Sequence, residues 1–146
     1  MHIHIRAMSE SQSKIYDHLT SVSRPILQHL IKLLIFPQNP NESHWKREVM
    51  SFLYDVDKLK GKNRWPSSKF IFKALTTHLD NIQAHVDYVK DTESEYDPVE
   101  LPTNILISAV SEYFQWIADK LSTYGGVRAA DIYNKIDEII RKYTST

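Results

Sequence analysis

The stretch Ile15-Tyr16-Asp17-His18-Leu19-Thr20-Ser21-Val22-Ser23-Arg24-Pro25-Ile26-Leu27-Gln28-His29-Leu30-Ile31-Lys32-Leu33 decides the fold. Ile15, Leu19, Val22, Ile26 and Leu33 recur at intervals of three and four, and His29 falls on the same register. With about 3.6 residues per turn, that spacing lines one face of a helix. The register passes through Pro25 without a phase change. A proline inside a helix removes a hydrogen bond and costs about 3 kcal/mol, whereas in a first turn it is tolerated. The unbroken phase favours one helix kinked at Pro25; the alternative is two nearly collinear helices, with Ser23 capping the second.

The same spacing returns four more times. Trp45, Val49, Phe52, Val56 and Leu59 predict a second helix over residues 42–60, opened by Asn41 as cap and closed by Gly61 and Asn63. Pro37 and Pro40 make the turn before it. Phe70, Ala74, His78, Ile82, His85 and Val89 predict a third helix over about 67–90. An acidic, proline-bounded linker follows at 91–98. A fourth helix begins near Thr103, carries Leu106, Val110, Tyr113, Phe114, Ile117 and Leu121, and is broken by Gly125 and Gly126. A fifth carries Ala129, Ile132, Ile136, Ile139, Ile140 and Tyr143. The expected fold is an all-α bundle of four to five mostly antiparallel helices, with residues 1–8 as a flexible extension and 9–146 as one domain.

The chain has 146 residues, 42% of them hydrophobic and 25% charged, which suits a single globular domain. It has no cysteine, so no disulfide framework or thiolate zinc site exists, and a reducing cytosol fits. No apolar run reaches the roughly 18 residues that a membrane-spanning helix needs. Eighteen basic and eighteen acidic residues cancel, so no bulk field draws the molecule to nucleic acid or to a membrane.

Locally the charges separate. Residues 46–73 hold eight basic groups against three acidic ones. Within them Lys58, Lys60, Lys62, Arg64, Trp65 and Lys69 form a basic turn, with cations for a phosphate backbone and a ring to stack a base. The alternative is a solvated turn, or one facing the acidic linker in the same or a neighbouring subunit. His29, His78 and His85 come from two helices and could meet around a metal, but no Glu-x-x-His or His-x-x-x-His spacing supports them, and no cofactor is expected. The carboxylate pairs Asp55 with Asp57 and Asp137 with Glu138 read as exposed faces.

Two family resemblances arise. Arg24 and His29 form an Arg-x4-His spacing that resembles the signature of HEPN-type helical ribonucleases. That resemblance implies a phosphate held by arginine and a proton moved by histidine. Separately, His29-Leu30-Ile31-Lys32-Leu33-Leu34, then Pro37, then Trp45-Lys46-Arg47-Glu48 resembles the central motif of the DUF29 family of bacterial helical proteins, over about residues 20–90. That family has no assigned activity. The resemblance implies an all-helical fold, a bacterial or phage-like origin, and Lys32, Trp45 and Arg47 as a shared surface.

The leading expectation is a non-enzymatic domain that contacts another protein or its own copy through exposed apolar side chains. Trp65, Ile136, Ile139 and Ile140 are the expected contacts. Nucleic-acid binding at the basic turn and ribonuclease chemistry at Arg24 and His29 are the alternatives.

Overall fold

The computed structural model describes residues 10–61, 66–123 and 127–144. Residues 1–8, expected as an extension, and the Gly125–Gly126 break lie outside them. The chain is an all-α bundle of five rods, the third broken into two helices. Its helices are α1 (Glu10–Ile35), α2 (Glu42–Asp57), α3 (Ser68–Leu75), α4 (Ile82–Thr92), α5 (Thr103–Leu121) and α6 (Ala129–Thr144). Among the described residues there is no strand, and no helix is long and apolar enough to cross a membrane.

α1 is the hub. Its 26 residues extend about 39 Å, and it touches all five other helices. Ile15, Leu19, Val22 and Ile26 bury one stripe, while Leu30, Ile31, Leu33, Leu34 and Ile35 are buried on every side. Pro25 lies inside this continuous helix. Ser23 is therefore no cap: it is buried in mid-helix and its Oγ donates to the Thr20 carbonyl at 2.7 Å. The proline leaves the Ser21 carbonyl without its helical donor, and burial of the surrounding apolar face offsets that loss.

α3 and α4 climb alongside α1 in step. Phe70 meets Tyr16, His78 meets Thr20, His85 meets Gln28 and Glu93 meets Lys32. The linker then closes onto the end of α1, where the Val99 amide donates to the Ile35 carbonyl at 2.7 Å. α5 runs back, and Ser68 reaches Asp119 near its end. α6 returns antiparallel to α5, with Lys142 on Glu112. Across the bundle, Lys46 of α2 reaches Asp137 of α6 at 2.6 Å.

Two expected elements differ. The third rod is not one helix over 67–90. It stops at Leu75 and resumes at Ile82, with a short 3-10 turn at Leu79–Asn81. Thr76 and Thr77 turn their hydroxyls onto the Phe72 and Ala74 carbonyls at 2.9 and 3.0 Å, and such side-chain bonds compete with helix continuation. Asn41 does not cap α2 with its side chain. Its Nδ2 donates instead to the Tyr96 hydroxyl, 3.3 Å away on the linker. Ser67 does cap α3, accepting from the Phe70 amide.

Candidate functional site

The proline turn of α1 and the break between α3 and α4 lie against each other, and polar side chains gather there. Arg24 and Gln28 are one turn apart and share a face of α1. Opposite them α4 presents Ala84, His85 and Tyr88, and these five residues line a groove of about 310 Å³. That volume suits a small ligand group or a few side chains of a partner.

His85 is the buried group of the cluster, 9% exposed. Its Nδ1 accepts from Gln28 Nε2 at 3.0 Å, which leaves the ring proton on Nε2. His78 stands edge-on to it, the ring centres 5.6 Å apart at 76°. His78 in turn donates from Nε2 to the Thr20 carbonyl at 3.3 Å. Burial lowers the pKa of His85, and repulsion from His78 and from Arg24 lowers it further. The ring is therefore a neutral imidazole at pH 7. Arg24 is exposed and makes no ion pair among the described residues. Tyr88, 54% exposed, forms the outer wall. The arrangement can hold an anion: it offers an uncompensated guanidinium, an amide and a phenol around one hollow.

A larger hollow of about 450 Å³ lies at the end of α2, between Met50, Ser51, Tyr54, Asp55, Asp57 and Lys58. Its lysine is already committed to Asp55 at 3.9 Å. The groove between α1 and α4 is the better site because its cation is not spent.

The structure redistributes the residues singled out from the sequence. Arg24 and His29 do not converge. Five residues on one helix are about 140° apart, so His29 faces α2 instead. There its ring lies 6.0 Å from Phe52, and its Nδ1 donates to the Pro25 carbonyl at 2.6 Å. Burial lowers its pKa against the opposing pull of that carbonyl. The same divergence undoes the histidine trio, in which only His78 and His85 meet. Among the described residues no three or more His, Cys, Asp or Glu side chains gather where a metal ion could be held.

Ile136 and Ile139 are 1% exposed, and Ile140 packs on the core, so these isoleucines are not an outward contact surface. α6 turns them inward because the rest of its arc is charged. Of the basic turn, Lys58 and Lys69 are exposed, while Lys62, Arg64, Trp65 and the Lys60 side chain lie outside the described residues. Lys69 is next to Phe70, at the end of α1 opposite the acidic linker, so Lys69 and the linker do not pair within the chain. Lys32 is paired with Glu93 at 3.4 Å and sits 5.7 Å over the ring of buried Trp45. Of the three residues of the DUF29-like surface, Arg47 alone is exposed.

Gln28, Ala84 and Tyr88 escape a reading of the sequence. The signal for Gln28 is its spacing from Arg24 on the polar side of α1. For Ala84 and Tyr88 it is their common spacing on α4.

No protein-family model matches the chain, and no curated protein and no solved structure matches it.

Proposed function

We propose that the chain is a non-enzymatic interaction domain that holds an acidic segment of a partner protein in the groove between α1 and α4. The observation that carries this reading is Arg24: an exposed guanidinium without an ion pair among the described residues, lining the same groove as the exposed Tyr88. Arginine and tyrosine are the residue types that concentrate binding energy at interfaces. A partner carboxylate on Arg24 with an apolar neighbour against Tyr88 satisfies both. The lack of cysteine suits a cytosolic setting.

The test is fluorescence anisotropy with labelled acidic peptides that contain an aromatic residue. Binding should weaken with salt and vanish in Arg24→Glu, whose melting temperature should stay unchanged. A chain that takes a single-stranded oligonucleotide in preference to every acidic peptide moves the reading to nucleic acid and to the basic turn.

One observation favours a second copy as the partner. α4 leads directly from the groove into the exposed acids Asp91, Glu95 and Asp97. Two α4 helices laid antiparallel about Tyr88 would set each Arg24 near the other copy's acidic stretch, a self-complementary two-fold contact. A labelled peptide spanning 91–97 that binds the groove, with a dimer in sedimentation, supports that version. A monomer at high concentration removes it.

A further inference from the structure

We infer that the groove between α1 and α4 is an oxyanion site in which Arg24 grips a carboxylate or phosphoryl group and His85 takes up a proton as that group arrives. The inference rests on the reading above in using the same groove, and adds the chemistry by which it is filled.

The unfilled groove is built against a proton on His85. Arg24 faces the ring from α1 and His78 faces it from the connection, and both oppose added positive charge. On α4 itself the neighbouring acid Asp87 is bonded by Gln83 at 2.9 Å, and Lys90 is turned to Glu100 at 3.3 Å. Tyr88 adds a neutral phenol. An oxyanion on Arg24 reverses this balance: it cancels the guanidinium field and places negative charge beside a half-desolvated imidazole.

Gln28 makes the uptake chemically direct. With His85 neutral, the Gln28 amide nitrogen donates to Nδ1. When a proton from solvent bonds to Nδ1, the amide turns over. Oε1 then accepts the new N–H, and Nε2 is released to donate to the bound anion. One N–H bond forms, one hydrogen bond is exchanged for another, and one proton leaves solvent per anion held. Arg24 and Gln28 on α1 and Tyr88 on α4 then supply donors from the two walls of the groove.

Linkage fixes the sign. A site that gains a proton on binding binds more tightly as pH falls through the interval between the unfilled and filled pKa of His85. Each unit by which the anion raises that pKa is about a tenfold gain in affinity.

The test uses the full chain and follows the His85 ring by NMR against pH. Acetate, sulfate and chloride are compared at matched ionic strength, since sulfate and acetate hold their own charge between pH 6 and 8. Acetate or sulfate should raise the His85 midpoint by about one unit, while chloride leaves it in place. The stronger of the two assigns carboxylate or phosphoryl as the natural group. Calorimetry in buffers of different ionisation heat should show about half a proton taken up per anion at the middle of that interval, the most that a one-unit rise allows. Arg24→Gln should abolish the shift, and Gln28→Met should cut the proton uptake, each with the fold intact. A midpoint that moves no more in acetate or sulfate than in chloride overturns the inference. So does acetate or sulfate binding without a change at His85; the acidic-segment reading survives that result if the peptides bind. If acetate or sulfate shifts His85 and no acidic peptide binds, the reading falls and this inference stands.

Discussion

His78 and His85 meet edge-on, 5.6 Å apart, although a break in the third rod lies between them. On an unbroken helix, residues seven apart lie about two turns, or roughly 10 Å, from each other. The turn at Leu79–Asn81 folds that distance down and puts both rings against the proline turn of α1. Local side-chain competition at Thr76 and Thr77 thus sets His78 against His85, one of the residues that line the groove.

Stability should fall as the solution is acidified from pH 7 to pH 5. His29 and His85 both have lowered pKa values, so the unfolded chain binds more protons than the folded one in this window. Their contribution is present in full above the unfolded value near 6.5 and is lost as pH falls towards the folded values. Each such proton difference contributes up to about 1.4 kcal/mol per pH unit. Thermal melts across the range measure it, and His85→Gln should flatten the slope by one proton's share. A melting temperature independent of pH would contradict the assignment.

Lys46 should be a keystone between α2 and α6. Its side chain is 14% exposed and reaches Glu42 at 2.8 Å and Asp137 at 2.6 Å. The two carboxylates raise its pKa although burial opposes them. Lys46→Met should destabilise by about 1–2 kcal/mol, near the low end because Asp137 is partly screened by solvent. A double-mutant cycle with Asp137→Asn in denaturant unfolding gives the coupling, and a coupling of zero would show that the pair is decorative.

Tyr113→Phe should leave stability unchanged or raise it by up to about 1 kcal/mol. The Tyr113 ring is fully buried against Trp116, and its hydroxyl has no hydrogen-bond partner among the described residues. Removing an unsatisfied buried donor relieves a desolvation cost. Tyr113→Ala should instead cost about 3–5 kcal/mol through the cavity left behind. Unfolding curves for the two variants distinguish polar from packing roles.

Pro25→Ala should stabilise by about 1–2 kcal/mol. The change restores a donor to the Ser21 carbonyl and removes a ring clash worth about 3 kcal/mol, less the entropy the proline withholds from the unfolded chain. A loss of stability would mean that the surrounding residues, Ser23 and His78 on the Thr20 carbonyl among them, need the proline's geometry.

The helix register was readable wherever a rod could be recognised from its own residues. The stripe Ile15–Leu19–Val22–Ile26 is buried as its spacing requires, and Trp45, Val49 and Val56 follow the same rule. α3 opens at Ser67 and α5 at Thr103 for local reasons, a capping hydroxyl and a preceding proline. The isoleucines of α6 were misplaced for the opposite reason. A wide apolar arc has two possible partners, its own bundle or a second copy, and periodicity is silent on which one covers it.

The amino-acid sequence by itself determined that apolar side chains spaced by three and four make helices, that these helices bundle, and where prolines end them. Backbone geometry over neighbouring residues is enough for that. Only the tertiary structure decided that Arg24 faces His85 rather than His29, that His78 closes on His85, and that Gln28 holds the imidazole. Arg24 and Gln28 lie more than fifty residues from His85 in the chain, and only the packing of α4 against α1 brings Gln28 within hydrogen-bond reach of it.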